Sequence, residues 1–135
     1  VGRMVETDNI NDMYKFKTPA LRNVSLTAPY GHNGAYPTLK SIIKHHLNPI
    51  KMNKNWKPEY ANLPKATWLE EIDFVTFSDK REQDRILSSI DIQPIELNDK
   101  EIDELVSFLK SLTGRSGNQR PLGKPDKVPS GLSID

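Results

Sequence analysis

The sequence predicts a helical domain with long loops, and three features carry that reading. Two segments repeat their apolar residues at helical spacing behind a capping residue, a third does so more weakly, and the remainder is dominated by long stretches rich in Gly, Pro and Asn without a period. With 135 residues, 36% hydrophobic and 27% charged, the chain holds enough apolar material for one core and too little for two.

Residues 1–35 read as extended loop, because Gly, Asn, Asp and Pro recur, Pro19 and Pro29 interrupt any helix, and apolar residues keep no period. Ordered loops of that length usually carry function or wrap a bound group. Thr38 then stands as an N-cap before Leu39, Ile42, Ile43 and Leu47, an amphipathic helix that stops near Asn48-Pro49. Residues 49–67, with three prolines, several lysines and no period, are expected to form an irregular surface loop. Trp68 to Phe77 fits a strand or a helix equally well, and Ser78-Asp79 can cap a short helix through Ile90 that carries Ile86, Leu87 and Ile90 on one face.

The clearest helix starts at Asn98, the N-cap, with Glu101 as its capping-box partner and Leu97 and Ile102 placed for a hydrophobic staple. Its stripe is Ile102, Leu105, Val106, Leu109 and Leu112, and Gly114 is the expected stop. Residues 115–135, rich in Gly, Pro, Arg and Lys, read as a surface tail.

Composition excludes several chemistries. The formal net charge is +1, so there is no broad basic field for nucleic acid. Residues 1–67 carry ten basic and four acidic side chains against nine and fourteen in the remainder, a polarity that fits two solvated faces or the docking of a charged partner. No segment approaches the roughly 20 apolar residues of a membrane span. Cysteine is absent, which removes disulfides, thiolate metal sites, a Cys nucleophile and thioether attachment of a cofactor to this chain. The opening Val1 and the lack of an apolar leader suggest a processed or excised piece.

The ligand-type side chains that remain are His32, His45, His46 and three methionines. With Leu39 at zero on a wheel of about 100° per residue, Ile42 falls near 300°, His46 near 340°, Ile43 near 40° and Leu47 near 80°. His46 is thus expected in the middle of the apolar stripe and His45, near 240°, beside it. Such an imidazole is either a core histidine bonded to backbone or a ligand to a buried metal. No second ligand follows at i+4 on that face, so a metal held there brings other ligands with it. In the loop before the helix, Arg22 can clamp a carboxylate, and carbonyls near Pro29 can face a cation; the competing reading is a loop held by its own Arg and Asn hydrogen bonds.

The segment KFKTPALRNVSLTAPYGHNG (15–34) followed by TLKSIIKHH (38–46) resembles the C-terminal haem lobe of bacterial di-haem cytochrome c peroxidases and the related MauG-type di-haem enzymes. NDKEIDELVSFLKSLTG (98–114) is similar to the last helix of that lobe, and VPSGLSID (128–135) resembles the tail of the MauG-like branch. The resemblance covers about half the chain, with residues 49–96 as a branch-specific insertion.

That resemblance implies an all-α, cytochrome c-like lobe spanning residues 1–135, in the periplasm, whose haem c relays electrons to a peroxidatic haem in the preceding lobe. The implied activity of the parent is reduction of hydrogen peroxide, or oxidation of a protein partner, with electrons from a small donor protein. In the family the sixth ligand of this haem lies fourteen residues beyond the histidine of the loop, as Met or Tyr; counted from His32, that position is His46, with His45 the rival if the register slips by one. The family also implies calcium held partly by the carbonyls of Thr27 and Pro29, and hydrogen bonding near the haems by Arg22, Tyr30 and His32. The family's Cys-x-x-Cys-His attachment motif is missing, so this chain is expected to be inactive alone and to depend on a preceding haem-bearing part of the same protein. The competing expectation is a haem-free interaction or scaffold module derived from that lobe. A hydrolase built on His32 or His46 lacks a nucleophile elbow or carboxylate pair.

Overall fold

The structure, a computed structural model, describes residues 2–63 and 72–114. Among them, six α-helices and four short 3-10 turns form and no strand does: α1 Arg3–Thr7, α2 Leu39–Leu47, α3 Pro49–Asn55, α4 Val75–Ser78, α5 Lys80–Ser88 and α6 Asp99–Ser111. The all-α expectation therefore holds for the described residues.

Local sequence chemistry sets the ends of the two long-predicted helices. The Thr38 hydroxyl accepts from the Ser41 N–H and the Ser41 hydroxyl accepts from the Thr38 N–H, a reciprocal cap at the start of α2. Asn98 and Glu101 make the same exchange at the start of α6, at 3.0 and 2.8 Å. Helix α6 ends at Ser111 with Leu112 as its C-cap, so Gly114 is not the stop the sequence suggests. Its N–H instead donates to Asn23 Oδ1 at 2.8 Å. Together with Asn23 N–H to the Leu112 carbonyl and Ser25 Oγ against Thr113 Oγ1 at 2.6 Å, it stitches the early loop to the end of the last helix.

Two other expectations are corrected. Residues 49–67 are not irregular throughout: Pro49–Asn55 is α3, because Asn48 accepts from the Lys51 N–H and Pro49 takes the first helical position, where its missing N–H costs nothing. The same Asn-Pro pair that ends α2 thus starts the next helix. Residues 1–35 are largely irregular but include α1 and the 3-10 turns Ile10–Asp12, Val24–Leu26 and His32–Gly34. The ambiguous run from Trp68 to Phe77 lies outside the described residues up to 71, and its end enters α4. Helix α5 starts on Asp79, whose side chain caps the Arg81 N–H, and stops at Ser88, short of Ile90. The tail expected at 115–135 is outside the described residues.

The core is small. Tyr30, Tyr36 and Leu39 form its buried cluster, against which Ile42, Met52, Trp56, Val106 and Leu109 pack. Helices α2, α3 and α6 therefore meet around the loop that carries the two tyrosines. Lys40 bridges to Asp103 at 2.7 Å and Lys44 reaches Asp99 at 3.6 Å, an exposed seam between α2 and the start of α6.

Candidate functional site: paired histidines at the end of helix α2

The loop before α2 is closed by Tyr30 and Tyr36, whose backbones exchange hydrogen bonds of 2.7 and 2.9 Å across an isolated antiparallel bridge. Gly34, at φ +71°, lies where a Cβ would come within 2.9 Å of Pro29 Cγ, so the turn admits only glycine without a shift. The Tyr30 hydroxyl donates to the Val24 carbonyl at 2.9 Å. Trp56, at the end of α3, donates its indole N–H to the Ala35 carbonyl at 2.9 Å, pinning the loop from the other side.

Between this loop, α2, the end of α3 and α4 opens a cleft of about 1040 Å³, with Tyr36, Ile42, His45, Trp56, Phe74 and Phe77 among its lining. Trp56 and Phe77 meet at 5.1 Å between ring centroids and Trp56 and Phe74 at 6.1 Å, so one wall is aromatic. His32 also lines the cleft and stacks on Phe16 at 4.8 Å.

The two adjacent histidines have different surroundings, as the sequence suggests, but with the burial reversed. His45 is half-buried, its Nδ1 lies 2.9 Å from the Tyr36 hydroxyl, and its ring tilts against the Tyr36 ring at 5.0 Å. Burial pushes its pKa below the ordinary histidine value, and the neighbouring His46 adds to that. Burial likewise raises the Tyr36 and Tyr30 hydroxyls. His46 is exposed, against the expectation that the middle of the stripe is buried. The reason is position along the helix: Leu39 and Ile43, on the same side of the wheel, are buried, whereas among the described residues nothing covers that side at the level of His46. Among the described residues the His46 side chain makes no hydrogen bond, and the one aromatic ring it meets is that of His45, edge-on, at 5.7 Å.

The other candidates divide. Tyr30 is in the core cluster and Arg22, Thr27, Pro29 and His32 are exposed. Among the described residues Arg22 forms no ion pair, and no hydrogen bond is made to the Thr27 or Pro29 carbonyl. Of the Arg and Asn hydrogen bonds expected to hold the loop, those of Asn23 are present among the described residues and none from the Arg22 side chain is. No group of three His, Asp or Glu side chains converges among the described residues. Tyr36 and Trp56 are the site residues that sequence reasoning missed. Neither belongs to a periodic stripe, and their roles rest on contacts across nine and 21 residues. A third uncovered feature is α6, where Leu105 is 38% and Phe108 56% exposed although Ile102, three residues before Leu105, is 4% exposed.

Known proteins share parts of this sequence. Over 104 residues, 75% of this chain, it is 36% identical to methylamine utilization protein MauG of Paracoccus denitrificans, covering 23% of that protein. It is 50% identical over 44 residues, 33% of this chain and 10% of the relative, to cytochrome c peroxidase Ccp of Escherichia coli. With cytochrome c551 peroxidase of Nitrosomonas europaea it shares 38% identity over 58 residues, 43% of this chain and 17% of the relative. The chain is a homologue of MauG and the cytochrome c peroxidases. It spans less than a quarter of the length of these curated relatives. No family model matches the chain, and no solved structure matches it. As a MauG and peroxidase homologue without cysteine, it holds no thioether attachment point, and among the described residues no helix is long and apolar enough to cross a membrane.

Proposed function

We propose that this chain is one wall of a haem site in a larger, periplasmic di-haem oxidoreductase of the MauG and cytochrome c peroxidase type, with His46 as an axial ligand of the haem iron. The observation that carries the reading is the contrast within α2: the side that is buried at Leu39 and Ile43 continues to His46, and there an imidazole without a hydrogen-bond partner among the described residues stands exposed. An imidazole is a fitting haem-iron donor, and the exposed Leu105 and Phe108 of α6 supply apolar surface of the kind a porphyrin face needs.

The residues of this chain fit such a group as a wall and as one ligand. Thioether attachment would have to come from another part of the parent protein, since this chain has no cysteine. When bound, haem c supplies the electron-transfer chemistry. The chain's own work is to hold His46 on a capped helix, to exclude water with the apolar faces of α2 and α6, and to fix the Pro29–Gly34 loop through Trp56 and the two tyrosines. The Thr27 and Pro29 carbonyls, which accept no hydrogen bond among the described residues, would be open to calcium at a junction with another lobe, and Arg22 and His32 are exposed enough to hydrogen-bond a neighbouring lobe. Reduction of hydrogen peroxide or oxidation of a protein partner, with a small donor protein supplying electrons, is the activity of the parent in this reading. The match to MauG, over 75% of the chain, is longer than the match to cytochrome c peroxidase Ccp, over 33%, which favours the MauG-type branch.

The test is the absorption spectrum and mass of the parent protein that contains this segment. A Soret band with thioether-linked haem of two per chain is expected. A parent with no haem overturns the proposal in favour of a scaffold module that kept the helices and lost the group.

A further inference from the structure

Two adjacent imidazoles at the end of one helix raise a question of selection, because either nitrogen base could serve an iron. The Tyr36 side chain is 6% exposed, and among the described residues its hydroxyl has one partner, His45 Nδ1, at 2.9 Å. A phenol has one proton to donate and a neutral imidazole has one N–H and one lone pair. If Nδ1 carried the proton, the Tyr36 oxygen would have to accept it, and a phenol oxygen is a weaker acceptor than an imidazole nitrogen while the phenol O–H is the stronger donor. The hydroxyl therefore donates and Nδ1 accepts. That leaves the ring proton on Nε2, where it occupies the only other lone-pair position of His45.

Resting on the axial reading above, we infer that Tyr36 is a positioning residue: it locks His45 in the Nε2–H tautomer, withholds it from the iron, and leaves His46 as the one imidazole of the pair able to ligate. The ring contact of Tyr36 with His45, at 5.0 Å, holds the orientation that the hydrogen bond requires. His46 meets no comparable donor among the described residues, so both of its nitrogens stay available. The selection is built from Tyr36 and His45, nine residues apart across the turn that begins α2, and needs no metal to be in place.

The test has a part that needs no haem. In this chain with 15N-labelled histidine, in mildly alkaline buffer, two-bond proton–nitrogen correlations report which ring nitrogen carries hydrogen. His45 is expected as a single Nε2–H tautomer. Tyr36→Phe, which removes only the hydroxyl, is expected to give a mixture at His45 and to leave His46 as it was. An Nδ1–H proton on His45 in the unmodified chain, or a Tyr36→Phe spectrum without change at His45, overturns the inference; if Tyr36→Phe fails to fold, the unmodified chain alone decides. In the haem-bearing parent, electron paramagnetic resonance of Tyr36→Phe is expected to show a second low-spin species that disappears when His45→Ala is added. One unchanged low-spin species in Tyr36→Phe overturns the selection while leaving His46 as ligand. No spectral change in His46→Ala overturns the axial reading and the selection with it, and the tautomer measurement still stands as a separate result.

Discussion

Two stretches of helix α2 lie on the same side of the wheel and meet opposite fates. Towards its start, Leu39 clusters with Tyr30 and Tyr36, with Val106 and Leu109 of α6 packed against them, and Ile43 is buried as well. At its end, His46 lies on the same side and is exposed, as are Leu105 and Phe108 on α6. Apolar periodicity tells which side of a helix wants cover; it does not tell whether the cover comes from the same chain. Here the difference separates a stretch that the described residues cover from one that they leave open.

The largest expected effect sharpens that division. Ile102→Ala, at a position 4% exposed, is expected to cost about 2–5 kcal/mol in urea unfolding, as buried aliphatic truncations do. Phe108→Ala, on the same helix, should stay within about 0.5 kcal/mol in this chain, yet destabilise the haem-bearing parent measurably. Equal losses at the two positions in the isolated chain break the comparison. Asn98→Ala, which removes half of the capping box at the start of α6, should cost about 1 kcal/mol and be read as a lower midpoint with unchanged slope.

Acid supplies a smaller effect with a defined sign. Burial holds His45 below the usual histidine pKa, so the folded state binds its proton less readily than the unfolded chain. The stability that follows is fully present above about pH 6.5 and is lost as pH falls through the lowered folded value. Thermal midpoints between pH 8 and pH 5 should therefore decline, and His45→Ala should flatten that decline; an equally steep slope in the variant contradicts it. The smallest effect belongs to Tyr14, whose hydroxyl donates to Glu82 while Arg85 pairs with the same carboxylate at 2.7 Å. The Tyr14 bond, with Arg85, holds Glu82 below the ordinary carboxylate range. This contribution is present above that range and lost as pH falls through the lowered value. Because Arg85 is exposed and Tyr14 and Glu82 only half-buried, Tyr14→Phe should lower the midpoint barely at neutral pH, and the difference should fade as pH falls below the ordinary carboxylate range.

Much of this was legible before any coordinates. Thr38 and Asn98 announce their helices because capping is local chemistry, readable within four residues. The segment after Asn48 misled because proline both ends one helix and begins another, and only the Asn48 cap distinguishes the two. His45 and His46 were legible as a pair with unlike surroundings, but not which one is covered, since that depends on Tyr36 and Trp56 arriving from elsewhere in the chain. The Asn23 contacts with Leu112 and Gly114, across about ninety residues, leave no periodic trace at all.

The account stands on one imidazole at an uncovered helix end. Replacing it, His46→Ala, in the haem-bearing parent and recording the low-temperature electron paramagnetic resonance spectrum tests it most directly. One haem should change its spin state or shift its low-spin signal while the other keeps its spectrum. Two unaltered haem signals would contradict the account.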